Sequence, residues 1–357
     1  MARIDVARVI APARTDRAPR RPVAGSGLRL LPALIVLCLV FGLRYPSAFP
    51  TVGNLQSMAQ VGGVLLAVTL GQGFALLVGG FDLSVAANMG FVGVAGGDVM
   101  VHHGLAAGIA VGIAAGVVIG LVNGLLIAGV GVSPFVVTLG MLTFLKAFGN
   151  QIAHGAPIFG FPSSAQYLGH TGWGPIPAPI AIGAILVAAM WIVLGLLRAG
   201  TYIYGIGGNR EACRAAGVPV VRYEVLAYVL CATLASVAGL MELSRVSIGY
   251  VSNGTGDDLL SIAAAVIGGV AIGGGTGSIF GVVLGVAVLT VLTTGLTIAG
   301  IGEFYQDMVS GTVIVLSVLV SRVRAGVLRE VIGVRGRERF GDGLSHRGVT
   351  TTSGREP

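Results

Sequence analysis

Long apolar stretches, separated by short polar or glycine-rich breaks, fill most of this chain between Leu28 and Val320. Apolar stretches near 20 residues are typical of membrane-spanning helices, and a soluble domain could not bury so much apolar surface. The pattern predicts an all-α polytopic membrane protein with about ten transmembrane helices. The predicted spans are 28–43, 55–78, 83–101, 105–129, 133–150, 176–197, 223–243, 258–272, 277–299 and 304–320.

The composition supports this interpretation. The 357 residues are 54% hydrophobic and 10% charged, with a mean hydropathy of +0.90, whereas soluble domains carry about 25% charged residues. The chain has 59 glycines, and small residues let membrane helices approach each other closely. The composition therefore predicts tightly packed helices in lipid.

The positive charges predict the orientation. All lysines and arginines except Arg44, Lys146 and Arg245 lie in the segment up to Arg29, in the 198–222 loop, or beyond residue 321. The positive-inside rule places these three segments on the cytoplasmic side of the membrane. We expect disordered basic cytoplasmic tails at 1–27 and 321–357, flanking a transmembrane domain at 28–320. The net charge of +7 therefore reflects topology and contact with lipid, not binding to nucleic acid.

Two similar segments indicate an internal duplication. Residues 124–132 read GLLIAGVGV and residues 295–303 read GLTIAGIGE, each at the end of a predicted span. Glycines also recur at every fourth position in both of these spans. Because the copies lie five spans apart, they face opposite sides of the membrane, which predicts inverted repeats at about 28–150 and 176–320. Chance recurrence in a glycine-rich protein is the alternative.

Few polar side chains lie within the predicted spans, and those that do are mostly amides. Polar groups inside a membrane are costly and suggest function. Amides without a carboxylate relay suit a neutral, hydroxyl-rich solute better than an ion, so we predict a weakly defined solute path. Hydrogen bonding between helices is the alternative for each residue. The candidate path residues are Gln60, Gln72, Asn88 and Asn123.

Two acidic features lie at the ends of spans. Asp82, in VGGFDLSV, is expected to cap the third helix, since aspartate accepts backbone N–H groups at an N-cap. The outer ends of later spans carry further carboxylates, which could dock a soluble partner by charge complementarity. A solvated loop face is the alternative. The candidate docking residues are Asp257, Asp258, Glu303 and Asp307.

The basic segment at 198–222 contains signals for a short helix. Asn209 is a favourable N-cap, and Glu211 lies in the first turn, where the helix dipole favours a carboxylate. Gly217 is a favourable residue for ending the helix. We therefore predict a two-turn helix over Arg210–Ala216.

A simple tether between two spans would need neither caps nor a face of small side chains. We therefore interpret this helix as one that docks into a groove on another protein. The two glycines before it are expected to form a flexible connection. The predicted coupling residues are Gly207, Gly208, Asn209, Glu211, Ala212, Ala215, Ala216 and Gly217.

The sequence offers no candidate for catalysis or for metal binding. An ATP-binding P-loop requires Gly-x-x-x-x-Gly-Lys-Ser/Thr, and the single lysine, Lys146, lies in TFLKAFG. The three cysteines have no metal-ligand spacing. The chain is therefore not expected to be an enzyme, and any use of ATP must occur in a separate subunit.

Four segments together resemble the permease subunit of bacterial ATP-binding-cassette importers of the ribose/arabinose/xylose class. They are GGFDLSVAANMG (79–90), NGLLIAGVGVSPFVVTLGML (123–142), GTYIYGIGGNREACRAAGV (200–218) and IAAAVIGGVAIGGGTGSIFGVVLG (262–285). They occur in the family's order and cover nearly the whole membrane region.

The resemblance implies a type II ABC importer fold and an importer for a monosaccharide or related neutral polyol. It also implies a second permease copy, two cytoplasmic ABC ATPase domains that bind ATP and magnesium, and a periplasmic or lipid-anchored sugar-binding protein. The 209–217 helix matches the family's coupling helix. A self-sufficient secondary transporter or channel for a small neutral solute is the alternative.

Overall fold

The computed structural model describes residues 27–170 and 177–302, together with 304–306, 308, 309, 311, 312 and 315. The two predicted tails and most of the tenth predicted span lie outside these residues. The helices are α1 (Leu31–Arg44), α2 (Val52–Leu77), α3 (Val85–His103), α4 (Leu105–Gly124), α5 (Pro134–Ile152), α6 (Gln166–Gly169), α7 (Ala178–Trp191), α8 (Arg198–Gly208), α9 (Arg210–Ala215), α10 (Val220–Val246), α11 (Asp257–Ile267) and α12 (Ile279–Ile298).

The first nine predicted spans each overlap one of these helices, which confirms the all-α polytopic class. Wide π-helical turns extend α4 to Val130 and α7 to Leu196. With these turns included, six helical segments are long and apolar enough to cross a membrane. They are Val52–Leu77, Leu105–Val130, Pro134–Ile152, Ala178–Leu196, Val220–Val246 and Ile279–Ile298.

Of the other three predicted spans, two correspond to short helices, and the third is α3, which has 19 residues but carries polar side chains, among them Asn88 and Asp98. Helix α1 has 14 residues and α11 has 11, and a helix of 11 residues is only about 16 Å long. Helix α11 ends before Gly269, whose φ of +94° lies in the left-handed region that favours glycine. The predicted span 258–272 is therefore too long at its C-terminal end.

The two longest helices, α2 and α10, pack against each other at the centre of the fold. Each of these two helices also packs against a pair of helices from the other part of the chain: α10 against α3 and α4, and α2 against α11 and α12. If α2 corresponds to α10, α3 to α11 and α4 to α12, then the contacts of α10 with α3 and α4 correspond to those of α2 with α11 and α12. The similar sequence segments lie at the ends of α4 and α12. That the two halves are inverted repeats stays a prediction.

The glycine repeat of α4 packs directly on α10. A Cβ atom added at Gly116 would lie 2.9 Å from the Ala232 carbonyl oxygen, and one added at Gly124 would lie 2.8 Å from Val225 Cα. Ordinary carbon contacts need about 3.5–4.0 Å, so no larger residue fits without movement. The predicted close packing of glycine-bearing helices is present, and it holds α4 and α10 together as one unit.

Candidate coupling site

Helix α9 is a short, exposed helix between α8 and α10. The Asn209 side chain accepts a hydrogen bond from the Ala212 backbone N–H, with an Oδ1–N distance of 2.9 Å. Gly217 ends the helix in the left-handed region, at a φ of +79°. No residue of α9 is buried. The predicted helix, its cap and its terminating glycine are therefore all present.

The small side chains of α9 are open to contact from outside this chain. Ala212, Ala215 and Ala216 are exposed, as are Glu211 and Gly217. An exposed surface of alanine and glycine has no role in the core of this chain, and it leaves room for the side chains of another protein. Its role in coupling stays a prediction.

The two glycines before α9 do not form a flexible connection, and that part of the prediction is wrong. Gly207 and Gly208 are the last residues of α8, an 11-residue helix. Ile203 and Ile206 of α8 are buried. The sequence underestimates this helix because glycine has a low intrinsic helix propensity, whereas burial of the isoleucines stabilises it.

Gly207 lies where three backbone segments meet. A Cβ atom at this position would overlap the Leu77 carbonyl oxygen and the Gly275 nitrogen. The Gly275 N–H also donates a hydrogen bond to the Leu77 oxygen, over 2.9 Å, and the Tyr204 hydroxyl donates to the Gly277 oxygen, over 3.2 Å. The end of α8 is therefore held against the end of α2 and against the turn between α11 and α12. We call this contact of Leu77, Gly207 and Gly275 the glycine junction.

One ion pair joins α9 to α10. The Arg210 guanidinium donates two hydrogen bonds to the Glu224 carboxylate, with N–O distances of 2.6 and 3.0 Å. The Glu224 side chain is 9% exposed and that of Arg210 is 39% exposed. The hydrogen bonds to Glu224 raise the pKa of the Arg210 guanidinium, and the negative charges of Glu224 and Glu211 add to this effect. Sequence reasoning missed this pair, whose members lie 14 residues apart.

Three of the candidate path residues are completely buried and bonded within the helix bundle. The Asn88 amide donates to the Ala232 carbonyl oxygen over 2.8 Å and accepts from the Ser236 hydroxyl over 3.2 Å. These bonds join α3 to α10. Asn88 therefore makes the interhelical hydrogen bonds that were the alternative interpretation, and its place on a solute path stays a prediction.

Gln72 and Asn123 both meet the segment between α2 and α3. The Asn123 amide donates to Asp82 and to the Ser84 hydroxyl, over 3.2 and 3.1 Å. In the amide orientation that satisfies its oxygen and its nitrogen, the Gln72 side chain donates to the Asp82 carbonyl oxygen and accepts from the Asp82 backbone N–H, each over 3.1 Å. Gln60 is half-buried on α2. The three buried amides thus tie α2, α3, α4 and α10 to one another.

Asp82 does not cap α3 in the way that was predicted. Helix α3 begins at Val85, and its N-cap residue is Ser84. The buried Asp82 carboxylate instead accepts bonds from the Ser84 backbone N–H and hydroxyl, over 2.8 and 2.5 Å. Asp82 therefore stabilises the turn one step before the helix.

The acidic residues predicted for docking are only partly within the described residues. Asp257 and Asp258 are half-buried in the first turn of α11, whereas Glu303 and Asp307 lie outside. Nearby on α10, Arg245 pairs with Glu242 over 2.7 and 2.8 Å. Arg245 is thus bound by its own helix, and the docking role of the other carboxylates stays a prediction.

Comparison with known proteins places the chain in a transport family. Residues 54–318 match the family described as "Branched-chain amino acid transport system / permease component". The chain is 36% identical to the ribose import permease protein RbsC of Escherichia coli (strain K12) over 293 residues, which is 81% of this chain and 91% of RbsC.

Two further relatives are named for other sugars. The L-arabinose transport system permease protein AraH of Escherichia coli (strain K12) is 31% identical over 302 residues, covering 83% of this chain and 92% of AraH. The D-allose transport system permease protein AlsC of the same strain is 29% identical over 293 residues, covering 81% and 90%. No solved structure gives a significant match.

Proposed function

This chain belongs to the family of permease components of the branched-chain amino acid transport system type, and we propose that it is the membrane subunit of an ATP-driven sugar importer. A member of this family is a component of a transporter and not an enzyme. The relatives are named for ribose, arabinose and allose. They support a monosaccharide, or a related neutral polyol, as the solute of this chain, in line with the uncharged amides of its spans.

The observation that carries the proposed coupling to ATP is the exposed, capped α9. It is fixed to the rest of the chain by the Arg210–Glu224 pair and through α8 by the glycine junction, yet it leaves its small side chains uncovered. A tether that only spanned the distance between α8 and α10 would need none of these features. We therefore assign α9 as the surface on which a separate ABC ATPase subunit docks.

The proposed mechanism is alternating access between two permease copies. A loaded periplasmic or lipid-anchored binding protein docks on the side opposite α9. Both termini are assigned to the ATPase side, in the cytoplasm, because the positive-inside rule groups the basic tails with the basic 198–222 segment. ATP and magnesium, held by the two ATPase domains, close those domains on each other. A ligand shifts a conformational equilibrium only through contacts that differ between the two states. In this account, the contact that differs is the one between α9 and the ATPase.

The rival function is a secondary transporter or channel that works without a partner. Such a protein would take up its solute when reconstituted alone and driven by an ion gradient. The proposed importer requires its ATPase subunits, its binding protein and ATP. The two functions therefore differ in what the vesicles must contain.

The test is uptake into proteoliposomes that hold the full chain, with radiolabelled ribose, arabinose, allose or leucine. Leucine is included because the family description refers to amino acids. We expect ATP-dependent uptake of one of the sugars, and only when a partner ATPase and a partner binding protein are both supplied. Uptake of leucine alone would contradict the proposed solute class.

A further inference from the structure

Among the described residues, the Arg210–Glu224 pair is the one side-chain hydrogen bond or ion pair between α9 and another helix. The other polar side chains of α9 bond locally: Asn209 caps its own helix, and Arg214 approaches Glu211 at 3.6 Å. The Cys213 side chain of α9 lies against α8, since a Cβ added at Gly205 would be 3.1 Å from its Sγ. A movement imposed on α9 from outside would therefore pass to α10 largely through Glu224.

Glu224 begins a line of buried contacts along one side of α10. Residues four apart lie on the same side of a helix, and Tyr228, Ala232 and Ser236 follow Glu224 at this spacing. Tyr228 reaches the turn at Gly80, between α2 and α3. The Ala232 carbonyl and the Ser236 hydroxyl bond to Asn88 of α3. This side of α10 thus contacts α9 first and α3 further along.

The far end of α10 is fixed to the opposite end of the protein. The Ser244 hydroxyl donates to the Ala165 carbonyl oxygen over 2.6 Å, in the segment that leads into α6. Gly169 at the end of α6 lies against the backbone of α10, since a Cβ added there would be 2.5 Å from the Arg245 nitrogen. Helix α10 therefore connects α9 at one end with the α6 segment at the other.

Helix α10 is also held as a rigid unit. The glycines of α4 pack against its backbone at intervals, from Gly124 at Val225 to Gly116 at Ala232, and Gly112 packs against the Leu240 side chain. Packed helices of this kind move as bodies rather than bending at each residue. A displacement at Glu224 would accordingly reach Ser244 without being absorbed between them.

We propose that Glu224 is a positioning residue that clamps α9 to α10, so that movement of α9 is converted into movement of the membrane helices. This inference rests on the proposed function and deepens it by naming the residue that transmits the movement of α9 to α10. Loss of the clamp would leave α9 folded and exposed, because its cap and terminating glycine are local. The ATPase would still dock and hydrolyse ATP, but fewer cycles would move a solute.

The test uses the reconstituted transporter with its ATPase and binding protein, and measures ATP hydrolysed per solute taken up. Glu224→Gln removes the charge and keeps the size of the side chain. We expect it to raise this ratio by at least about fivefold, the lower end of measured coupling factors, while ATPase activity is kept. Arg210→Lys keeps the charge but not the paired hydrogen bonds, and should give a smaller rise.

Two variants separate the clamp from general damage. Arg222→Gln is the matched control, because it also removes a charge at the start of α10, but the Arg222 side chain is exposed and makes no ion pair within the part of the chain that the structure describes. Its ratio should stay at the wild-type value. Exchange of the charges, Arg210→Glu with Glu224→Arg, should return the ratio to within about twofold of wild type by restoring the pair.

An unchanged ratio in Glu224→Gln would overturn the inference, and so would a parallel loss of uptake and ATPase activity that leaves the ratio constant. The inference would also be overturned if the charge-exchange variant elutes and melts like the wild type but its ratio is no lower than that of Glu224→Gln. A wild-type chain without ATP-dependent uptake would instead contradict the proposed function, so the two failures are distinguishable.

Discussion

Replacement of Gly207 by alanine tests whether the glycine junction holds the coupling segment in place. The added methyl group would overlap the Leu77 oxygen and the Gly275 nitrogen, and would lie 3.0 Å from the Gly274 carbonyl carbon. All three are backbone atoms, so no side chain can rotate away. The overlap must be relieved by separating α8 from α2 or from the turn before α12.

Overpacking of a well-packed interior typically costs about 1–3 kcal/mol. The gain in helix propensity from glycine to alanine offsets at most about 1 kcal/mol of that cost, and Gly207 lies at the helix end, where the gain is smaller. We expect Gly207→Ala to lower the melting temperature of the purified protein by several degrees. It should also reduce ATP-dependent uptake, since α8 is the anchor that precedes α9.

Gly208→Ala is the matched control, because no atom lies within 4 Å of the Cβ position at the adjacent residue. Its melting temperature should equal that of the wild type or exceed it slightly. The melting temperature of both variants is measured in the same detergent, from the change in protein fluorescence on heating, with a dye that does not react with cysteine. Equal melting temperatures for Gly207→Ala and Gly208→Ala would refute the close contact at the junction.

Two further predictions concern α9 itself. Asn209→Ala removes the cap bond to Ala212 and should destabilise α9 by about 1 kcal/mol. We expect ATPase docking to weaken about fivefold, while the melting temperature of the whole protein stays unchanged because α9 is exposed. Asn209→Asp keeps a hydrogen-bond acceptor and should behave as wild type. Ala216→Trp places a large side chain on the docking surface and should lower stimulated ATPase activity and uptake together by about tenfold, equivalent to about 1.4 kcal/mol. Thr201→Trp, at an exposed position of α8, is its control, and normal activity in Ala216→Trp would exclude this surface as the docking site.

The signals that could be read from the sequence were local. Apolar stretches located nine of the helices, since each stretch contains its own membrane-crossing signal. The Asn209 cap and the Gly217 terminator lie within nine residues of one another, so α9 could be predicted with nearly correct ends. The glycine spacing of α4 predicted close packing, although not its partner, α10.

The missed features depend on residues that are distant in sequence. Glu224 and Arg210 meet because α9 folds back on the start of α10, and Leu77, Gly207 and Gly275 belong to three separate segments. One local signal was present. Glu224, Tyr228 and Ser236 are polar residues spaced at multiples of four along α10, a spacing that indicates neighbouring positions on a helix. The helix α8 was missed because glycines are weak helix formers, and its stability comes from tertiary packing that no local pattern records.

The most direct test of the central claim is the initial rate of solute uptake in vesicles with and without the ATPase subunits. The account predicts uptake only with ATPase, binding protein and ATP all present, and none by the chain alone under a proton or sodium gradient. Gradient-driven uptake by the chain alone would contradict the claim that ATP hydrolysis in a separate subunit drives this protein.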